Sequence, residues 1–276
     1  MSTWARKIVV VSVMMIFVLS GMAQAAYVPI GGSENAADGS GYGAVDYEYN
    51  ISTHEVTIAE MVAATGAGNG DENEWSTVGT DAPAANVTLY EAMKYCNFLT
   101  SGDATDGYYS DSGSGVYTVA SILSHDAYAV ANGTTYFVPT EDEWYKAAYY
   151  DASGVDGYSL YANGTDTAPV AGTDANSNYA LGKVWIVGTG TEEQNGTYDM
   201  MGNVFEWMED STGIVRGGAY YNGYQSSSQS IAGMDPDIVN MGVGFRPVEV
   251  VPEPATIGMV GLVGALALLI RRRFLS

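Results

Sequence analysis

The sequence predicts an α+β domain built from short, irregular elements with much loop between them. Three segments carry Thr followed three residues later by Glu, which is the capping-box signature of a helix start. Short runs with strand composition lie between these segments. Gly, Ser, Asn, Asp and Thr are spread along residues 26–250 without a repeat or a long linker, so we expect one loop-rich domain there.

The three capping boxes set the positions of the predicted helices. By residue number these helices are 57–66, 88–100 and a third that begins at 140. In the second helix five apolar residues recur at helical spacing and predict a buried face, namely Leu89, Ala92, Met93, Cys96 and Leu99. In the third helix Trp144 should face inward with two alanines, and the acidic residues of its first turn suit the helix dipole.

The predicted strands are short runs in which β-branched and aromatic residues are bounded by turn residues. By residue number they are 47–51, 135–138, 184–187, 213–216 and 244–248. Their brevity indicates small sheets rather than one extended sheet, which agrees with the irregular α+β class.

Charge separates the middle of the chain from its two ends. The whole chain has 10 basic and 32 acidic residues, a net charge of −22. Residues 26–250 hold five of the basic residues and 31 of the acidic ones, so their net charge is −26. Such a surface repels phosphate backbones and excludes nucleic-acid binding. The 21 Tyr, 6 Phe and 5 Trp supply enough apolar material for a core, which argues against disorder.

A single cysteine, Cys96, limits the covalent chemistry of the chain. One thiol excludes an intramolecular disulfide framework, a CxxC redox pair and a cysteine-rich zinc site. Because Cys96 lies on the inner face of the second predicted helix, we expect it to be a small core hydrophobe.

Residues 1–25 have the pattern of a secretory signal peptide. Arg6 and Lys7 form a positive start, an apolar run follows from residue 8 to 19, and Ala23-Gln24-Ala25 fits the small-x-small cleavage rule. We expect cleavage by signal peptidase before Ala26. The alternative is an uncleaved membrane anchor.

Residues 251–276 have three parts in a fixed order. Pro252-Glu253-Pro254 is followed by an uncharged run of 16 residues, 255–270, and then by Arg271, Arg272 and Arg273. The run would rise about 24 Å as a helix, short of the ~30 Å hydrocarbon core, a gap that bilayer thinning can accommodate. The positive-inside rule keeps the arginines cytoplasmic, so the domain would face away from the cytoplasm.

This tail resembles the PEP-CTERM sorting signal of Gram-negative bacteria. The resemblance implies secretion through the inner membrane, a transmembrane helix at 255–270 that anchors the chain before processing, and cleavage by an exosortase. The product would then reach the cell surface or the medium. The alternative is a plain single-span tail.

The middle of the chain resembles the formylglycine-generating enzyme, or sulfatase-modifying factor, family. Residues 138–144 (VPTEDEW) resemble the family's LPTEAEWE block, and residues 196–207 (GTYDMMGNVFEW) resemble its GLYDMxGNVWEW block. Four further blocks occur in family order at 47–57, 87–99, 216–218 and 244–246. The resemblance implies an irregular, loop-rich α+β fold related to C-type lectins, over residues 26–250.

The family's oxidase reaction turns a target cysteine into formylglycine and depends on two enzyme cysteines that bind copper. Counted on from Arg216, the two family positions fall on Asn222 and Ser227. Cu(I) favours thiolate ligands, and neither residue can form a mixed disulfide with a substrate, so copper is not expected. No catalytic residue of the oxidase reaction can therefore be assigned.

The resemblance also implies a calcium site in the block at 196–207. Carried over residue by residue, its ligands would be the side chains of Asp199 and Glu206 and the backbone carbonyls of Gly202 and Val204. Calcium takes six to eight oxygen ligands, which these groups could begin to supply. A second family site would begin near Asn178, but the loop that follows is altered here.

These observations predict an exported, surface-sorted protein whose domain is a non-catalytic binding or structural module. Its ligand would be an extracellular protein, glycan or matrix component. The alternative is a family enzyme with altered chemistry around Arg216, Tyr220, Asn222 and Ser227. For Arg216 and Arg246, buried ion pairs that order loops are favoured over an anion-binding pair.

Overall fold

The computed structural model describes residues 26–32, 35–65, 78–119, 121–209, 213–223, 231–237 and 242–252. The described helices, in chain order, are α1 (Ile58–Thr65), α2 (Leu89–Ser101), α3 (His125–Asn132) and α4 (Glu141–Tyr149). The described strands are β1 (Tyr27–Ile30), β2 (Tyr49–Ser52), β3 (Tyr109–Asp111), β4 (Tyr117–Val119), β5 (Thr135–Phe137), β6 (Phe205–Trp207), β7 (Ile214–Arg216), β8 (Ile231–Gly233), β9 (Val243–Gly244) and β10 (Val248–Val250). This mixture of helices and small sheets confirms the predicted α+β class.

The described strands form three small sheets. A four-stranded antiparallel sheet has the order β1-β2-β10-β5, so the first and last strands of the domain lie close together. A second four-stranded sheet has the order β8-β7-β6-β9, in which β6 and β9 run parallel. Strands β3 and β4 form a separate antiparallel pair.

The capping boxes predicted from the sequence are present at all three sites. The Thr57 hydroxyl accepts from the Glu60 amide at 3.2 Å, and the Glu60 carboxylate accepts from the Thr57 amide at 2.8 Å. The same reciprocal pairs open α2 at Thr88 and α4 at Thr140. Each box satisfies backbone donors that a helix start leaves without an intrahelical acceptor. Gly66, the predicted end of the first helix, lies outside the described residues.

The predicted strand at 184–187 is wrong. Its backbone donors are taken by groups outside any ladder: the Trp185 amide donates to the Asn203 side chain at 3.0 Å, and the Val187 amide donates to the Asp81 carbonyl at 3.1 Å. The prediction at 244–248 is correct only at its ends, where β9 and β10 lie. Helix α3 was not predicted, because no capping box marks its start. In the structure its N-cap residue Ser124 makes no side-chain cap bond.

The main core lies between the helices and the two larger sheets. Its largest fully buried side chains include Trp144 of α4 and Trp207 of β6. Both indole nitrogens are bonded, that of Trp207 to the Val87 carbonyl and that of Trp144 to the Glu206 carboxylate. Burying indole in this way avoids the cost of an unsatisfied donor.

The predicted targeting segments fall mainly outside the described residues. The signal peptide 1–25, the helix 255–270, Glu253, Pro254 and Arg271–Arg273 are all among these. Of the helices that the structure describes, none has the length and apolar character needed to cross a membrane.

Candidate functional site

A surface cavity of about 290 Å³ lies beside Asn222, one of the two positions at which the family has a cysteine. We call it the Asn178 cavity. Its described lining consists of Tyr161, Ala168, Pro169, Val170, Ala171, Ser177, Asn178 and Gly223. Asn222, one of the family cysteine positions, directly precedes Gly223 in the chain.

The backbone beside the Asn178 cavity has an uncommon conformation. Asn178 and Tyr179 have φ of 56° and 57°, in the left-handed region that non-glycine residues rarely adopt. For a bulky residue such as Tyr179 this conformation has a conformational energy cost. Hydrogen bonds to the neighbouring loop hold the pair, from the Asn178 amide to the Asn222 carbonyl at 2.6 Å and from the Tyr179 amide to the Tyr220 carbonyl at 2.8 Å. The loop at 219–222 therefore fixes the conformation of the cavity edge.

The family reaction needs a thiol at the position of Asn222, and here the Asn222 side chain makes a hydrogen bond to the backbone instead. Its side-chain oxygen accepts from the Ala219 amide at 3.0 Å and closes the turn that follows β7. Ser227 lies outside the described residues. The one thiol, Cys96, is fully buried on α2, and burial raises its pKa well above the usual range. A thiol that is both shielded and protonated is a poor nucleophile and a poor metal ligand.

Four aromatic rings form a cluster next to this loop. The rings of Tyr179, Tyr220 and Tyr221 contact one another with centroid separations of 5.1 to 6.4 Å, and Tyr221 also contacts Phe205. Tyr179 is 65% exposed, so its ring stands at the surface, while Phe205 is buried. The cluster joins an exposed ring to the core.

The predicted calcium ligand Glu206 is engaged by an arginine. Both of its carboxylate oxygens accept from the Arg246 guanidinium at 2.7 Å, and one also accepts from the Trp144 indole at 2.8 Å. Arg246 further donates to the carbonyls of Ser52, Thr53 and Tyr198. The bidentate pair is fully buried, and such charge-assisted bonds are strong.

The second predicted side-chain ligand, Asp199, belongs to an excess of buried carboxyl groups. Its two oxygens accept from the Trp185 indole and the Gly188 amide, both at 2.7 Å. Burial raises the pKa of Asp199, and burial together with Asp199 raises the pKa of Glu55. Burial also raises the pKa of Glu193 to about 8, although Arg246 opposes this change.

The buried oxygens of this cluster bear on its fit to calcium. Among the described residues, the buried Glu55 Oε2 and Asn176 Oδ1 atoms have no hydrogen-bond partner. Asn203 links their side chains, because it accepts from Asn176 and donates to Glu55. In the part of the chain that the structure describes, no group of three or more His, Cys, Asp or Glu side chains has the arrangement of a metal site, so a cation here would depend on these two oxygens and on backbone carbonyls. The Glu206 pairing with Arg246 was not predicted from the sequence, and the ligand set stays a prediction.

Arg216 is buried and pairs with a partly exposed acid. Its guanidinium contacts the Glu141 carboxylate at 2.6 Å and lies over the rings of Tyr42 and Tyr145. Both arginines therefore make ion pairs, as the favoured expectation requires, and their role in ordering loops stays a prediction. Tyr220 packs in the ring cluster described above, so three residues of the alternative altered-chemistry site, Arg216, Tyr220 and Asn222, have structural contacts; Ser227 lies outside the described residues.

A buried histidine between two acids is a feature that the sequence analysis missed. His125 Nδ1 lies 3.0 Å from the Glu143 carboxylate, and Nε2 lies 3.0 Å from the Glu209 carboxylate. The ring stacks on Phe137 with centroids 3.9 Å apart. The three polar residues are distant in sequence, so no spacing rule could have joined them.

Comparison with family models gives two matches. The model described as "Sulfatase-modifying factor enzyme 1-like domain" matches residues 15–251. The model of the "PEP-CTERM protein-sorting motif" matches residues 250–273. A search of curated proteins gives no match for this chain.

Several solved structures share the fold. Treponema denticola variable protein 1 is 22% identical, with a TM-score of 0.64 over 83% of this chain and 96% of that one. CarF is 21% identical, with a TM-score of 0.60 over 84% of this chain and 100% of that one. PvdO from Pseudomonas aeruginosa is 17% identical, with a TM-score of 0.53 over 82% and 91%. At these identities the likeness concerns the fold alone.

Proposed function

The chain belongs to the family of sulfatase-modifying factor enzyme 1-like domains, and because it lacks the cysteines of the family's oxidase reaction we propose that it is a non-catalytic binding module. Its PEP-CTERM motif marks it as an exported, surface-sorted protein of a Gram-negative bacterium. The module would act outside the cytoplasm, where a domain with a net charge of −26 meets salt and divalent cations that screen its self-repulsion.

The observation that carries the proposal is the state of the thiol chemistry. The family positions for the copper-binding cysteines are Asn222 and Ser227, and the Asn222 side chain closes a backbone turn. The remaining thiol of Cys96 is shielded in the core. A cysteine oxidation that proceeds through thiolate-bound copper has no ligand set in this sequence.

An oxidation assay tests the proposal. The full chain is incubated with a cysteine-containing sulfatase peptide, copper and oxygen, and aldehyde formation is followed by mass spectrometry. A family member that retains both cysteines serves as the positive control. We expect no aldehyde from this chain, and turnover above the level of copper alone would contradict the non-catalytic role.

Calcium is a further part of the proposal. The residues that would hold it are Asp199, Glu206 and the carbonyls of Gly202 and Val204. Support comes from the excess of buried carboxyl groups around one arginine and from the unpartnered oxygens of Glu55 and Asn176. Bound calcium would supply positive charge to this acidic cluster and stabilise the folded chain.

Two cleavage steps during export are also part of the proposal. The sorting motif is consistent with cleavage by an exosortase, and signal peptidase would act at the other end. We propose that residues 255–270 hold the chain in the membrane until the exosortase cleaves it. Cleavage would leave the domain at 26–250 as the surface module.

A further inference from the structure

The Asn178 cavity differs from the rest of this acidic protein because none of its eight described lining residues is charged. The chain carries 31 acidic residues between positions 26 and 250, so an uncharged concave surface stands out. The volume of about 290 Å³ lies at the lower end of the ~300–1,000 Å³ typical of small-ligand sites. The cavity therefore suits a small, neutral ligand or one terminal unit of a longer one.

The lining offers both apolar surface and hydrogen-bonding groups. Residues 168–171 (Ala-Pro-Val-Ala) and the Tyr161 ring supply the apolar surface, and Val170 is 62% exposed. The Ser177 hydroxyl and the Asn178 amide supply the polar groups, and neither side chain is hydrogen bonded to another described residue. The site thus combines apolar contact with donors and acceptors that a ligand can use.

The backbone holds one of these polar groups, on Asn178, in place at the cavity. Left-handed φ values at two successive non-glycine residues, Asn178 and Tyr179, cost of order 1–3 kcal/mol each and persist only where the surroundings enforce them. Bonds to the carbonyls of Asn222 and Tyr220 enforce them here. Strain of this kind clusters at ligand sites, where it fixes groups before binding.

A neutral saccharide matches this combination better than a charged ligand does. Sugar rings present apolar C–H faces that pack on tyrosine rings, and hydroxyl groups at their edges pair with amides and hydroxyls. An anionic polymer would be repelled by the net charge of −26, and a cationic peptide would find no carboxylate among the described lining residues.

We propose that the Asn178 cavity binds a neutral saccharide. Tyr161 and the apolar residues 168–171 contact its apolar faces, and the Ser177 hydroxyl and Asn178 amide bond its hydroxyl groups. This inference rests on the proposed binding function and gives that function a ligand class.

The test uses the full chain in a detergent without a sugar headgroup. The probes are neutral mono- and disaccharides of glucose, galactose, mannose and N-acetylglucosamine, and binding is followed by ligand-observed nuclear magnetic resonance and calorimetry. Tyr161→Ala removes the aromatic ring of a lining residue, and Asn178→Asp replaces the amide donor with a charge at equal size while keeping a residue that tolerates a left-handed backbone. The matched control is Val251→Ala, in a separate cavity of about 340 Å³ that includes Glu48.

We expect at least one probe to bind, and each of the two variants to weaken its binding tenfold or more while Val251→Ala does not. Each variant is first shown to keep the wild-type melting temperature within a few degrees, and a variant that fails this check is replaced by Tyr161→Leu or Ser177→Ala. No binding by any probe, binding that both variants leave unchanged, or binding only of a cationic peptide would overturn the inference. The aldehyde assay on the same preparation decides the proposed function separately, because lack of saccharide binding leaves the non-catalytic role untouched.

Discussion

The buried His125 offers a prediction whose size can be worked from the structure. Both ring nitrogens face carboxylates, Glu143 at one side and Glu209 at the other. Ionised carboxylates only accept hydrogen bonds, so both nitrogens must donate and the ring must be an imidazolium. Tyrosine hydroxyls also donate to the two acids, from Tyr47 to Glu143 and from Tyr109 to Glu209.

The pKa of His125 sets the magnitude. Burial alone would lower it, but Glu143 and Glu209 raise it from 6.5 to about 10. A difference of that size corresponds to about 5 kcal/mol, an order-of-magnitude figure that already includes the lowered pKa of Glu143. Because the folded value lies above the unfolded one, this stability is fully present below pH 6.5. It is lost as the pH rises towards 10.

The assay joins a titration to a stability measurement. The chain has two histidines, so a His54→Gln variant assigns the imidazole resonances, and His125 should titrate near pH 10. The free energy of unfolding, measured by denaturant titration, should be several kcal/mol larger for wild type than for His125→Gln at pH 6. This difference should shrink steadily towards pH 10. A midpoint near 6.5, or a stability difference that does not change with pH, would refute the ion-pair reasoning.

Three further predictions concern the calcium site and the tail. Gly202→Ala should destabilise the fold by more than about 2 kcal/mol in denaturant, because its Cβ would meet the Asn176 carbonyl oxygen; Gly113→Ala, also at positive φ but in open space, should cost less. Millimolar Ca²⁺ should raise the melting temperature of wild type but not of Asp199→Asn, and no rise in wild type would contradict the calcium proposal. Deletion of residues 252–276 should release the protein from the cell envelope in fractionation, and continued retention would contradict the sorting role.

Local signals explain how much of the fold could be read from the sequence. The capping boxes at Thr57, Thr88 and Thr140 act within four residues, so composition alone reveals them. Helix α3 has no capping box, and its N-cap residue Ser124 makes no side-chain cap bond, so the sequence did not predict this helix. The strand predicted at 184–187 failed because the Trp185 amide bonds the Asn203 side chain and the Val187 amide bonds the Asp81 carbonyl, distant partners that no local pattern encodes.

The site was only partly accessible for the same reason. The sequence predicted Asp199 and Glu206 as calcium ligands, which stays a prediction, and it did not reveal that Glu206 pairs with Arg246, 40 positions away. The Asn178 cavity draws on segments near 161, 177 and 223, and its shape depends on the carbonyls of a loop that reaches across from β7. Concavity is a property of tertiary packing, so it could be found only in the structure.

The most direct test of the account compares wild type with the double variant Asn222→Cys/Ser227→Cys in the copper-dependent peptide oxidation assay. The account predicts no aldehyde from wild type, because the sequence places no thiol at either family position. Any aldehyde made by the double variant would show that the cysteines alone separate this chain from an oxidase. Aldehyde made by wild type, above copper alone, would contradict the central claim that this surface protein binds rather than oxidises.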